Sequence, residues 1–167
     1  MFWNKDKELI EYAEQEAKIN ARFQIDCADS LQKSSGALFS ILLSGAGGGL
    51  ALAVSLFEDD VDVWLWLPVA VVSVYLFGIS ALIVKYCLQA QDLYPPANEP
   101  GNIFNDKNLE MGLLMVRREE LASRQRVIDK NIIRNGNVAY WFNLASTLST
   151  LTPLVFILAS CFSYLLV

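Results

Sequence analysis

Three stretches of the chain carry no charged side chain at all, and their length is the strongest constraint on how it can fold. Gly36–Phe57 and Val63–Val84 are 22 residues each, and Val138–Val167 is 30, interrupted only by Asn143 and hydroxyl residues. A helix needs about 20 apolar residues, at roughly 1.5 Å of rise each, to cross a hydrocarbon layer of about 30 Å. The apolar residues, 54% of the chain, lie in blocks rather than in the periodic stripes of a soluble domain. The expected fold is therefore all-α, an integral membrane protein with three transmembrane helices.

Charge gives the expected orientation. Five of the 13 Lys and Arg residues precede the first block, and the other eight fall in residues 85–137. The link Glu58–Asp62 has four acids and no base. The positive-inside rule then puts the N-terminus in the cytoplasm and Glu58–Asp62 outside. Three crossings leave the C-terminus on the outer, periplasmic side of a bacterial inner membrane.

The chain divides accordingly. Residues 1–35 read as an amphipathic cytoplasmic helix with Leu9, Ile10, Ala13, Ala17, Ala21, Ile25, Ala28 and Leu31 on one arc. Nothing between Asn4 and Leu56 forces a break, so this helix is free to run straight into the first span, 36–57. The second span, 63–87, opens with Trp64 and Trp66 and closes at Lys85 and Tyr86, the pattern of an aromatic belt and a snorkelling lysine. Residues 88–107 form a proline-rich cytoplasmic loop. Residues 108–137 form a basic cytoplasmic helix with Leu114, Leu121 and Ile128 at heptad spacing, suited to packing on the N-terminal helix. Asn135–Gly136–Asn137 offers a place for a bend before the third span, 138–167.

Small residues are concentrated in the first span. Gly36, Ser40, Ser44 and Gly48 recur every four residues on one face, and Gly45, Gly49 and Ala53 make an adjacent row. Each glycine costs a helix roughly 1 kcal/mol in water. Close backbone approach between helices in lipid is the natural compensation, either within one chain or between copies in a homo-oligomer. In the third span Asn143, Ser146, Ser149, Thr150, Pro153 and Ser160 share about a third of the circumference. That face either supplies interhelical hydrogen bonds or lines a watery path after assembly.

Histidine is absent, and no nucleophile motif, phosphate loop or metal-ligand spacing is present, so neither a catalytic nor a metal site is expected. Cys27, Cys87 and Cys161 read as structural thiols.

The order of elements resembles the transmembrane effectors of the bacterial Pycsar antiphage systems. The resemblance rests on "CADSLQKSSGALFSILLSGAGGGLALA" (27–53), "YPPANEPGNIFND" (94–106) and "RQRVIDKNIIRNGNVAYWFNLAS" (124–146), and it covers most of the chain. It implies a toxin that impairs the inner membrane when a cognate cyclase makes a cyclic pyrimidine mononucleotide, cyclic CMP or cyclic UMP. No other cofactor and no nucleic-acid partner is expected. A holin-like pore and a non-catalytic membrane anchor for a cytoplasmic partner are the alternatives.

A ligand of that kind carries one phosphate charge and an aromatic base. Arginine supplies directed donors to the former and aromatic rings stack on the latter. The candidates are Arg117, Arg118, Arg124, Arg126 and Arg134, with Tyr94 or Phe104 for stacking. The same arginines also satisfy the positive-inside rule and have Glu110, Glu119, Glu120 and Asp129 as nearby acids in sequence.

Overall fold

The computed structural model describes residues 2–89, 93–95, 98 and 100–165, with side chains from Lys7 onward. Ala90–Asp92, Pro96, Ala97 and Glu99 of the expected loop lie outside the described residues, as do Leu166 and Val167 at the end of the expected third span. Every regular element among the described residues is helical.

The first helix, α1, runs without interruption over Phe2–Glu58, joining the expected cytoplasmic helix and first span. It ends where Asp60 turns into the left-handed region at φ 52, a conformation that aspartate tolerates better than most residues. Asp62 then precedes α2, Val63–Ile83. Its carboxylate accepts the Trp64 indole N–H at 3.3 Å instead of capping the helix. Pro68 is accommodated inside α2.

The second span closes differently from the α-helix expected to residue 87. Val84–Leu88 is a π-turn, in which the Gln89 N–H reaches back five residues to the Val84 carbonyl at 2.8 Å. Both Tyr86 and Cys87 engage the beginning of the third apolar block from this wide turn. Tyr86 stacks on Trp141 with centroids 3.9 Å apart, and Cys87 Sγ donates to the Val138 carbonyl at 3.8 Å.

Two short helices stand in the region read as loop and helix start: α3, Pro100–Ile103, and α4, Asp106–Met111. Asparagines hold them. Asn105 caps α4 by accepting the Asn108 N–H, and Asn108 Nδ2 donates to the Ile103 carbonyl. Gly112, at φ 80, then breaks the chain with a conformation that a side chain would strain. The basic helix therefore begins at Leu113, five residues later than its pattern suggests. It continues as α5 through Asn135–Gly136–Asn137 to Thr150, because one glycine thins a helix without ending it.

The helix expected as the third span is broken. α5 stops at Thr150, and α6, Thr152–Tyr164, leaves at 45°. Pro153 has no N–H to give the Ser149 carbonyl. The Thr152 hydroxyl takes its place at 2.7 Å, and Thr150 serves the Thr147 carbonyl at 2.7 Å. The Leu148 carbonyl receives both the Leu151 N–H and, from α2, the Tyr75 hydroxyl at 2.8 Å. The kink thus leaves these carbonyls bonded, as burial in lipid demands. Among the described residues two helices are long and apolar enough to cross a membrane, and the bent α5–α6 pair makes three if it is one span.

The chain clusters into two compact units. The polar unit comprises Met1–Ser30 and Gln91–Gly136, and the apolar unit Leu31–Ala90 and Asn137–Val167. In the polar unit Ala17 and Ala21 pack with Ile128 and Leu121, so the alanine arc does receive the heptad face of α5. Leu9, expected on that arc, is exposed, while its neighbour Ile10 is buried. In the apolar unit the core is built from Leu42, Ile79, Ile83, Val138 and Ala145.

Candidate functional site

Basic and amide side chains of α5 hold the polar unit together. Arg117 grips Glu14 with two parallel bonds, Nε to Oε1 at 2.9 Å and Nη2 to Oε2 at 2.8 Å. Its third nitrogen, Nη1, lies 3.6 Å from Glu11. The bond from Arg117 holds the Glu14 carboxyl below the usual glutamate range, with the charges of Arg117 and Arg124 adding to it. The same contact pushes the guanidinium up.

Two asparagines complete this network. Asn131 is 1% exposed. Its amide reads the backbone of Tyr94 from both sides, accepting the N–H at 3.3 Å and donating to the carbonyl at 3.1 Å. One helix turn later, Asn135 Nδ2 donates to the carbonyl of Gln24 at 2.8 Å and to its Oε1 at 3.1 Å. Neither asparagine belongs to the ligand-site candidates. The signal that could have marked them is their four-residue spacing on a helix otherwise rich in long charged side chains.

The expected ligand residues separate into groups. Arg117 and Arg118 line one cavity of about 580 Å³, together with Lys7, Met111, Gly112 and Met115. Arg124, Arg126, Arg134, Tyr94 and Phe104 are not in that lining. Arg134 donates to Asn135 Oδ1 at 3.1 Å and carries a buried Nε. Arg126 is exposed. Phe104 is 77% exposed. The Tyr94 ring already has Lys130 Nζ over it, 4.5 Å from the centroid. Of the acids close to the arginines in sequence, Asp129 accepts from Gln125 and Glu120 from Asn98. The partners that Arg117 actually takes, Glu11 and Glu14, lie a hundred residues away in the chain, beyond the reach of local spacing.

The small-residue rows of α1 also separate. A Cβ on Gly49 would collide with Ser73 Oγ, and one on Gly45 would meet Leu76 Cδ1 at 3.4 Å. This row is where α2 approaches α1. A Cβ on Gly36 or Gly48 meets nothing within 4 Å, and Ser40 and Ser44 are exposed between them. On α5 and α6, Ser149 donates to Ala145, Thr150 to Thr147 and Ser160 to Phe156, each a carbonyl of its own helix. Ser146 is half-buried and Asn143 is exposed.

Comparison of the chain with models of known families, with functionally characterised proteins and with solved structures gives no match.

Proposed function

We propose that the chain is an antiphage effector that impairs the bacterial inner membrane, as a homo-oligomer, when a cyclic pyrimidine mononucleotide binds its polar unit. The observation that carries this reading is the two-pronged Arg117–Glu14 contact at the edge of a cavity of about 580 Å³. That volume lies within the ordinary range of small-molecule sites, about 300–1,000 Å³. The cavity brings together two arginines, a lysine and two methionines. These are donors for one phosphate and soft sulfur surfaces for an aromatic base.

The mechanism follows from competition. A phosphate entering the cavity contests Arg117 with Glu14. Losing that contact frees α5 from one of its ties to α1. Arg117 stands on the same unbroken helix as the polar face that begins at Asn143. Such a switch operates only if the nucleotide binds the released arrangement more tightly than the latched one. The open Gly36, Ser40, Ser44 and Gly48 face supports assembly of copies, since small residues permit close helix contact in lipid. In this reading the N-terminus is cytoplasmic and the C-terminus periplasmic.

The test combines calorimetry on the purified full chain with dye release from vesicles containing it. Cyclic CMP or cyclic UMP is expected to give saturable heat and to start release. Arg117→Ala should abolish both without loss of membrane insertion. Glu14→Gln, which weakens the competitor, should leak at lower nucleotide concentration or with none. No heat and no release with either nucleotide would move the trigger to another protein and leave this chain as a pore or anchor.

A further inference from the structure

Between α1 and α2 a groove opens on the surface of the apolar unit. Its upper part, about 640 Å³, is lined by Phe39, Leu43, Phe77 and Val84 and ends at Lys85 and Gln89. Its lower part, about 330 Å³, shares Leu43 and Phe77 and continues past Gly47 to Leu50 and Val74. The two parts of the groove adjoin at Leu43 and Phe77. Its floor is open at Gly47, where an added Cβ meets nothing within 4 Å.

Three features select an occupant. From Val74 to Val84 the helix rises about 15 Å at 1.5 Å per residue, which is half of a hydrocarbon core of about 30 Å. The groove is therefore as deep as one leaflet. Its wall is aliphatic and aromatic along that depth except at Ser73 and Ser80, whose hydroxyls donate to the Val69 and Leu76 carbonyls of their own helix. At its end, Lys85 is exposed, with Nζ 5.1 Å from the centre of the Tyr86 ring and no carboxylate within ion-pair distance among the described residues. The stretches of α1 and α2 that line the groove lie within 34–57 and 63–89, which contain no acid to pair with Lys85. A phosphate headgroup would bring the missing charge.

We infer that this groove is a binding site for an anionic phospholipid of the leaflet on the Lys85 side, with one acyl chain lying between α1 and α2 and the headgroup phosphate at Lys85 and Gln89. The site differs in place and chemistry from the nucleotide cavity and stands whether or not a nucleotide binds.

Native mass spectrometry of the detergent-purified full chain, titrated with phosphatidylglycerol and with phosphatidylcholine of the same acyl chains, tests it. Phosphatidylglycerol is expected to bind about fivefold more tightly, the equivalent of about 1 kcal/mol for one lysine near the surface. Lys85→Gln should bring the two lipids to parity, and Lys85→Arg should keep the preference. Gly47→Phe, which fills the floor without a backbone clash, should weaken both lipids. Equal binding of the two lipids to the native chain, or an undiminished preference in Lys85→Gln, overturns the proposal. So does a Gly47→Phe variant that loses self-association but binds lipid as before, because the groove would then belong to a second copy.

Discussion

The two units use polar side chains in opposite ways. In the apolar unit, hydroxyls return their protons to their own helix: Ser40 to Gly36, Ser73 to Val69, Ser80 to Leu76, Thr147 to Asn143. The Tyr75 hydroxyl and the Cys87 thiol donate across helices there. In the polar unit the bonds run between separate segments, Arg117 to Glu14, Asn135 to Gln24 and Asn131 to Tyr94. Helices in the first unit are thus held by shape, and those in the second by directed bonds. Shape is indifferent to small ions and to protons. Directed bonds can be contested by both.

Substitutions that change shape in the apolar unit should give the largest effect. Gly49→Leu drives a side chain into Ser73 and the α1–α2 contact, at a cost of about 3 kcal/mol, the upper part of the usual overpacking range. Gly48→Leu, on the open row, should leave the melting temperature in detergent close to the native value and instead lower oligomer size. If both variants melt alike, the two rows are equivalent and packing by shape is wrong for α1.

Next in size is Asn131→Ala, which strands the Tyr94 N–H and carbonyl. A cost of about 2 kcal/mol is expected, as for other buried groups left without partners. Asn131→Asp keeps the acceptor for the N–H and should recover part of the loss. Equal melting of native protein and Asn131→Ala would mean that the loop is held by other contacts.

The smallest effect is that of acid. Glu14 titrates below its ordinary value, 4.5, when folded. Its contact with Arg117 therefore contributes stability in full above that value, and the contribution disappears as pH falls through the lower folded value. The native chain should lose melting temperature over that window, and Glu14→Gln should lose less. Identical acid profiles for the two would remove Glu14 from the latch.

Much of the fold could be read from residue patterns because its determinants are local. Lengths without charge give the apolar helices, and the alanine arc gives the packing face of α1. What stayed hidden depends on what stands opposite. The two glycine rows look alike in sequence, and it is Val69, Ser73 and Leu76 on α2 that distinguish the inner from the outer. The partners of Asn131 and Asn135 lie 37 and 111 residues away, and no helical periodicity encodes such distances. Arg117 and Arg118 stand out in the sequence as cations of a basic helix, but their companions in the cavity, Lys7 and Met111, come from other elements.

The π-turn at Val84–Leu88 has a bearing on how the gene can vary. A wide turn holds an extra residue compared with an α-helical turn. Losing one codon there would let α2 continue as ordinary helix, and the adjustment would fall on Tyr86, Cys87 and the loop beyond. Losing one codon in the middle of α2 would instead rotate everything after it by about 100°, swinging Ile79 and Ile83 out of the core. Length variation among descendants of this chain should therefore collect at the end of α2, and the apolar helices should keep their lengths.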